Sequence, residues 1–302
     1  MKNGKQENDA INKWLKGIMY EVAFWNNVYR WKHTFNGMMG WSNYGGKIEL
    51  EDFDANSFLL GLNHPVVLDV GSGMSYAPGN HLSTNEQLYP IDLHYVDPLA
   101  TYFNAILKRY RRNLPAIEFG MMEYLSDFYS SNSIDMVIIQ NALDHSSAPI
   151  KGIIEALHIL KPGGVLYLNH HLNEAEAEHY KGFHQYNIMQ EDDSLIIWNN
   201  NSRCDINSLI ESFADVTVNY NSATRHVTAV IKKTHDVPDA LLHHSDAKEL
   251  SFTLIQLSEQ QKSVTSAISL KLRFWIFNTI QFFAQALPWD IKMKVKKIIG
   301  QN

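Results

Sequence analysis

Residues Val66–Gly73 read VVLDVGSG, and this stretch indicates the architecture more strongly than any other part of the chain. Its apolar, β-branched run predicts a buried strand. The glycines that follow predict a turn whose backbone can approach a ligand closely. A second apolar stretch, Leu93–Asp97 (LHYVD), ends in an acid. In a nucleotide-binding sheet, a carboxylate at such a strand end meets a ribose diol, so the pair indicates an adenosine-containing cofactor.

The bulk composition predicts a globular protein of the cytoplasm. The 302 residues are 45% hydrophobic and 19% charged, which suffices for a substantial core. A net charge of −6 argues against a general electrostatic attraction to nucleic acid, so we expect no nucleic-acid partner. The single cysteine, Cys204, excludes an intramolecular disulfide and fits a reducing compartment. The first residues lack the apolar stretch of a signal peptide.

Strand and helix patterns alternate over residues 61–232, which predicts an α/β, Rossmann-like core. We expect a seven-stranded, mostly parallel sheet with helices on both faces and an insertion at about 170–200. The predicted strands are Val66–Val70, Leu93–Val96, Ile117–Gly120, Ile134–Gln140, Val165–Asn169, Val216–Tyr220 and His226–Ile231, the last two forming a hairpin. The predicted helices are Ala100–Arg112 and Ile150–Leu160. Prolines and glycines between Gly73 and Leu93 predict a long loop there.

Extensions flank this core on both sides. Residues 1–60 are expected to form an N-terminal helical cap, with an amphipathic helix over residues 9–32 and a loop over Gly37–Gly46. Residues 233–302 form a C-terminal extension, in which residues 270–299 predict an amphipathic helix with a basic patch. Two interpretations of this helix stay open. It contacts the inner face of the plasma membrane, or it packs on the protein's own core or on a second subunit of a homo-oligomer.

Four segments in order carry a family resemblance: Leu68–Gly73, Val96–Leu99, Ile134–His145 and Leu160–Gly164. Together they resemble the class I S-adenosylmethionine-dependent methyltransferases over about residues 60–232. Further marks resemble a narrower group of uncharacterised bacterial methyltransferases, namely Phe24-Trp25, Asp97–Ala100, Asn141–His145, Asn173–Glu176 and Gly182–Asn187. The resemblance implies S-adenosylmethionine as cofactor and methyl transfer as activity.

The same resemblance implies a set of cofactor-binding residues. It places Gly71 and Gly73 under the methionine portion of the cofactor, and Asp97 on the ribose hydroxyls. Met122 and Glu123 would meet adenine. The full implied set is Asp69, Gly71, Ser72, Gly73, Asp97, Met122, Glu123 and Asn141. The third glycine of the usual motif is replaced by Ser75.

Acid–base chemistry is assigned to His145, which follows a predicted strand directly, with Asp144 as its partner. Histidine suits proton removal from an oxygen acceptor near neutral pH. The alternative is that His145 only caps the next helix. Substrate contacts are predicted at His170, His184, Gln185 and Asn187. These histidines, with His171 and nearby acids, could also hold a metal, but their spacing is not diagnostic and we predict no metal.

The predicted reaction is O-methylation of a small or glycan-type acceptor, such as a cell-surface polysaccharide. The oxygen assignment depends on His145, and the glycan assignment depends on the polar and aromatic insertion and on the C-terminal extension. Two alternatives stay open. One is N- or C-methylation of a metabolite, and the other is a non-catalytic binding module on the same fold.

Overall fold

The computed structural model describes residues 14, 17, 18, 21–85, 87–242 and 279. Residues 14, 17 and 18 are helical, and helix α1 covers residues 21–30. The following elements are α2 Lys32–Trp41, α3 Ala55–Leu60, β1 Val66–Val70, β2 His81–Thr84, β3 Gln87–Pro90, β4 Asp92–Val96, α4 Ala100–Arg109, β5 Ile134–Gln140 and α5 Pro149–Ile159. After these come β6 Leu160–His171, α6 Glu174–Ala177, β7 Asn187–Glu191, β8 Ser194–Trp198, β9 Arg203–Asp205, α7 Ile206–Ile210, β10 Ala214–Asn221 and β11 His226–Lys233.

The central sheet has the order β10-β11-β6-β5-β1-β4. Strands β4, β1, β5 and β6 run parallel, whereas β11 pairs antiparallel with both β6 and β10. The apolar side chains of β1, β5 and β6, apart from Val66 and Pro162, are buried because helices and loops cover both faces. The predicted Rossmann-like α/β fold and its closing hairpin are therefore confirmed.

The sheet has six strands where the sequence predicts seven. Ile117–Gly120 contributes only a bridge between Glu118 and Val96 at the outer edge. Both backbone polar groups of Ile117 are bound by the Asn104 side chain on α4, at 2.9 and 2.8 Å. The segment therefore meets its hydrogen-bonding needs through a helix and does not extend into a longer strand.

Two loop predictions are wrong. Between Gly73 and Leu93 the chain forms the antiparallel hairpin β2–β3, which turns at Asn85 with a φ of +45°. Asparagine tolerates this left-handed conformation, so the turn needs no glycine.

In the predicted loop Gly37–Gly46, helix α2 continues to Trp41. Its Met38 packs against the same apolar cluster as α1, and this tertiary contact outweighs the low helix propensity of the glycines.

The described part of the N-terminal extension lies over the carboxyl ends of the parallel strands. Trp25 of α1 packs on the turn after β1, and a Cβ added at Gly73 would lie 2.9 Å from its ring. Trp14 stacks on Phe183, which follows α6, with ring centroids 5.7 Å apart. Strands β7–β9 form a separate three-stranded sheet that follows this segment. The N-terminal extension and the insertion after β6 thus meet above the carboxyl ends of the parallel strands.

No helix in the part of the chain that the structure describes is both long enough and apolar enough to cross a membrane. The predicted amphipathic helix at 270–299 lies outside the described residues, apart from residue 279.

Candidate active site

A cavity of about 320 Å³ opens at the carboxyl ends of β1, β4 and β5. Seven of the eight predicted cofactor residues line it: Gly71, Ser72, Gly73, Asp97, Met122, Glu123 and Asn141. The facing side is formed by Trp14, Glu21, Trp25, His145 and Phe183. Asp69 is 2% exposed and lies behind the glycine turn. This is the edge of an open α/β sheet at which ligands bind.

The glycine turn is fixed by backbone geometry. Gly71 and Gly73 have φ values of +69° and +54°, which side-chain-bearing residues rarely adopt. The Gly71 N–H donates to Val96 O at 2.8 Å, so the turn is held against the end of β4. A Cβ at Gly71 would meet Ala142 Cβ at 2.5 Å. The turn therefore passes too close to the β5 end for any side chain at this position.

Asp97 organises the turn from the end of β4. Its Oδ2 accepts the Gly73 N–H at 3.0 Å, and its Oδ1 accepts the Leu99 N–H at 2.7 Å. Each carboxylate oxygen has a second lone pair, so both retain capacity for a ligand. Burial raises the pKa of Asp97 to about 7, although the two backbone hydrogen bonds act in the opposite direction.

Asp69 forms the second buried acid of this wall. Among the described residues, no group donates a hydrogen bond to its Oδ2. Burial raises the pKa of Asp69 to about 7, with a further contribution from the charge of Asp97. Two neighbouring acids with raised pKa values mark a site built to meet hydrogen-bond donors or positive charge.

Glu123 and Asn141 have structural partners that the sequence does not predict. Glu123 Oε1 accepts hydrogen bonds from the Ser146 hydroxyl at 2.6 Å and from the Ser147 N–H at 2.9 Å. Asn141 has a left-handed φ of +46°, and its Oδ1 accepts the His171 N–H at 3.1 Å. Glu123 thereby holds the loop that carries His145, and Asn141 ties the ends of β5 and β6 together.

Asp144, His145 and His184 come together as the Asp144 cluster. Asp144 Oδ2 lies 2.6 Å from His184 Nδ1 and 3.5 Å from His145 Nε2, and the two imidazole nitrogens are 3.2 Å apart. Asp144 and His145 belong to a short 3-10 helix after β5. His184 is brought to them by two backbone hydrogen bonds, from the N–H groups of Gln185 and Tyr186 to Asp144 O.

The cluster is electrostatically coupled. Burial alone would raise the pKa of Asp144, but the positive charge of His145 and the hydrogen bond to His184 hold that pKa below its ordinary value. Burial would likewise lower the pKa of His184, but the hydrogen bond and charge of Asp144 raise it. Asp144 therefore stays ionised beside two groups that can be cationic.

None of the four predicted substrate residues, His170, His184, Gln185 and Asn187, lines the cavity. His170, Gln185 and Asn187 are 1%, 6% and 0% exposed. Burial lowers the pKa of His170 to about 4, which keeps its ring neutral. The Asn187 side chain accepts the Glu176 N–H and donates to the Tyr180 hydroxyl. Their predicted contact with substrate stays a prediction.

The sequence pattern does not predict the facing wall of the cavity. Trp14, Glu21 and Trp25 follow the helical period that predicts the N-terminal helix, and that period alone indicates only a packed face. In the structure the Trp25 indole N–H donates to Glu21 Oε1 at 2.7 Å, which fixes its ring beside the turn. An acid and two tryptophans spaced along one face are the signal that this helix borders a site.

Residues 68–168 match the protein family described as "Methyltransferase domain". A search of the curated proteins found no match. Similar solved structures include a Thermus thermophilus 16S rRNA N2 G1207 methyltransferase in complex with AdoMet and guanosine, at 12% identity and a TM-score of 0.33. The alignment covers 62% of this chain and only 41% of that one.

Two further structures are covered over most of their own length. A Clostridium acetobutylicum S-adenosylmethionine-dependent methyltransferase matches at 13% identity and a TM-score of 0.35, over 61% of this chain and 93% of that one. A Thermotoga maritima enzyme, described as a possible histamine N-methyltransferase, matches at 15% identity and a TM-score of 0.39. The alignment covers 70% of this chain and 99% of that one. The family match covers about a third of the chain and includes the end of β1, the glycine turn, Asp97 and the Asp144–His145 segment. Residues 68–168 therefore have the sequence pattern of a methyltransferase domain.

Proposed function

We propose that the chain transfers the methyl group of S-adenosylmethionine to an oxygen atom of a small or glycan-type acceptor. One observation carries this proposal: a single cavity has the glycine turn and Asp97 on one wall and His145 on the other. The sulfonium of the donor is already activated. The protein must therefore align donor and acceptor, and for a hydroxyl acceptor it must also take up a proton.

The residues on the side of the cavity assigned to the cofactor each suit one part of S-adenosylmethionine. Asp97 has a carboxylate that can accept hydrogen bonds from both ribose hydroxyls while it holds Gly73 and Leu99. The Gly71–Gly73 turn lines the cavity, and we assign it to the methionine portion of the donor. Met122 and Glu123 line the same cavity, and we assign them to adenine. We assign Asp69 to the turn itself, since it lies behind the cavity lining.

The acceptor wall supports the oxygen assignment. The His145 side chain is 23% exposed and lines the cavity, whereas Asp144 is 3% exposed. A carboxylate beside an imidazole can orient the ring and stabilise the imidazolium that forms when an acceptor proton is transferred. An amine acceptor can lose its proton after transfer, so it has less need of such a group. The Asp144 cluster therefore favours a hydroxyl acceptor over the N- and C-methylation alternatives.

The aromatic side chains support a glycan-type acceptor. Trp14, Trp25 and Phe183 line the cavity, together with the acid of Glu21. Such faces suit the apolar side of a sugar ring, and a nearby carboxylate suits its hydroxyls. A net charge of −6 continues to argue against a nucleic-acid acceptor.

His145→Ala is expected to bind S-adenosylmethionine as the wild type does but to lose about 10²–10⁴-fold in methyl transfer, the usual contribution of a general base. Release of S-adenosylhomocysteine is measured with a panel of sugar nucleotides, lipid-linked sugars and amines. His226→Ala is the matched control, because His226 pairs with His171 outside the cavity. Transfer to amines alone, or wild-type turnover in His145→Ala, would refute the oxygen assignment.

Donor affinity is expected to fall on acidification. Burial raises the pKa of Asp97 from its ordinary value of 3.8 to about 7, so its carboxyl takes up a proton as the pH falls through 7. Only the ionised form accepts two ribose hydrogen bonds, so affinity should drop about tenfold from about pH 8 to about pH 6. Titration calorimetry with 5′-methylthioadenosine measures this, since that ligand lacks the titratable α-amino and carboxyl groups of the donor's methionine portion. In Asp97→Asn the pH dependence should disappear; a flat wild-type profile would contradict the assignment.

We further propose that residues 270–299 hold the enzyme at the inner face of the plasma membrane, where lipid-linked glycans are assembled. The proposal depends on the apolar and basic pattern of this segment. The full chain is expected to float with vesicles that contain anionic lipid and to remain unbound after truncation at residue 269. Failure of the full chain to float, with a dimer observed instead, would favour packing against a second subunit.

A further inference from the structure

The Asp144 cluster has the composition and geometry of a metal centre. Three ligand atoms converge on one point: Asp144 Oδ2, His145 Nε2 and His184 Nδ1. Two imidazoles and one carboxylate are the donor set of catalytic zinc and non-haem iron sites. We propose that this cluster binds a divalent first-row transition-metal ion beside the cavity.

The distances suit such an ion. The three separations of 2.6, 3.2 and 3.5 Å define a triangle whose atoms lie about 1.8 Å from its centre. An ion slightly out of their plane is therefore about 2.0–2.2 Å from all three atoms, the usual length of bonds from zinc to imidazole nitrogen and carboxylate oxygen. All three ligands lie on one side of that ion, which leaves further positions open.

Hydrogen bonds alone account poorly for this arrangement. The Nδ1 proton of His184 can be donated to Asp144 Oδ2 at 2.6 Å. The same nitrogen then has no proton for His145 Nε2, although the two atoms are 3.2 Å apart. His145 Nε2 is 3.5 Å from Asp144 Oδ2, too far for a good hydrogen bond. A cation at the centre satisfies all three atoms at once.

A second, independent observation is a set of buried polar atoms in and next to the cluster that have no hydrogen-bond partner in the described residues. Asp144 is 2% exposed, and its other oxygen, Oδ1, has no hydrogen-bond partner in the described residues. His170 is 1% exposed and lies within electrostatic reach of Asp144. Neither of its ring nitrogens has a hydrogen-bond partner in that same part of the chain. Buried polar atoms are normally satisfied, so these point to a missing polar component.

The cluster is held in place before any ion binds. Asp144 and His145 are adjacent in a 3-10 helix, and backbone hydrogen bonds of 3.0 and 3.3 Å from Gln185 and Tyr186 fix His184 against Asp144 O. The mixed nitrogen and oxygen set selects ions such as Zn²⁺, Mn²⁺ or Co²⁺ over Mg²⁺ and Ca²⁺, which prefer oxygen ligands.

The role of the ion in the reaction, unlike its binding, rests on the proposed function. An acceptor hydroxyl bound to the ion would lose its proton to water at a lower pH than free hydroxyl groups do. The acceptor oxygen then forms a bond to the methyl carbon. The bond from that carbon to sulfur breaks, and its electron pair stays on sulfur as S-adenosylhomocysteine. With the ion bound, His145 is a ligand and the proton leaves to water, so the loss of methyl transfer expected for His145→Ala then follows from the lost ligand. The general-base role of His145 given under the proposed function applies to the chain without the ion.

The test uses the full chain after treatment with a chelator and dialysis. Titration with Co²⁺ should produce ligand-field absorption that saturates at one ion per chain, and Zn²⁺ should displace it. Asp144→Asn and His184→Gln should each weaken Co²⁺ binding by more than about 100-fold, since each removes a direct ligand. His226→Ala, which removes a histidine from the exposed His171–His226 pair, should bind Co²⁺ as the wild type does.

The outcomes separate this proposal from the proposed function. No saturable Co²⁺ absorption, or absorption lost in His226→Ala but kept in His184→Gln, would overturn the metal site. S-adenosylmethionine binding by the metal-free chain is measured in parallel, and it tests the methyltransferase assignment on its own. Thermal unfolding of each variant shows that lost binding reflects lost ligands. Methyl transfer unchanged by metal removal would overturn the role of the ion in the reaction.

Discussion

Replacement of Asp97 by alanine is expected to weaken the binding of S-adenosylmethionine by about 100-fold or more. Two charge-assisted hydrogen bonds to the ribose hydroxyls are lost, and each contributes about 1.5–3 kcal/mol. The turn is loosened as well, because the Gly73 N–H loses its acceptor at 3.0 Å and the Leu99 N–H loses its acceptor at 2.7 Å. Titration calorimetry with the donor measures the change.

Asp92→Ala is the matched control for this experiment. Asp92 and Asp97 flank the same strand, β4, but Asp92 lies at its amino end, with a side chain that is 67% exposed. Its ion pair with His94 is a surface pair of small energetic value. The control should bind the donor normally. Wild-type affinity in Asp97→Ala would refute the assignment of this wall to the ribose.

Replacement of Gly71 by alanine is expected to lower the free energy of unfolding by about 2–5 kcal/mol and to abolish donor binding. The left-handed φ of +69° costs a side-chain-bearing residue about 1–2 kcal/mol. The new Cβ would also lie 2.5 Å from Ala142 Cβ, and such overpacking costs about 1–3 kcal/mol more. The turn must move away from β5 to relieve this contact. Urea unfolding and donor titration measure the two effects.

Gly163→Ala separates the two contributions. Gly163 has a φ of +82°, comparable to that of Gly71, but nothing lies within 4 Å of its added Cβ. In this control the free energy of unfolding should fall only by the conformational cost of about 1–2 kcal/mol, and the donor affinity should stay unchanged. Equal effects at Gly71 and Gly163 would show that the close approach to Ala142 does not position the turn.

The sequence predicts the centre of the fold best. Strands β1 and β5 match their predicted bounds, Val66–Val70 and Ile134–Gln140, because each apolar run is buried and ends at turn residues. The sequence pattern does not predict the hairpin β2–β3. Every residue of β3, Gln87–Pro90, is exposed, so this strand lacks the alternation of apolar and polar residues that marks a half-buried strand. The strand predicted at Ile117–Gly120 is shortened by a side chain of α4, a contact that no local pattern indicates.

The same division applies to the candidate site. Gly71, Asp97 and Asn141 each follow a strand end, so local pattern and sheet geometry suffice to bring them together. The Asp144–His184 contact joins residues 40 positions apart across an insertion, and only the folded chain reveals it. Trp14 and Phe183 likewise meet through tertiary packing, at a ring distance of 5.7 Å.

The composition of the cavity has an evolutionary consequence. The proposed donor side comes from residues 71–141, whereas the facing side comes from His145 and from four residues outside the matched stretch: Trp14, Glu21, Trp25 and Phe183. Under the proposed function, substitutions at Trp14 and Phe183, which stack on each other away from the glycine turn, would alter acceptor choice before donor binding. The matched stretch 68–168 contains none of these four residues. Relatives that share this stretch can accordingly diverge in acceptor through changes outside it.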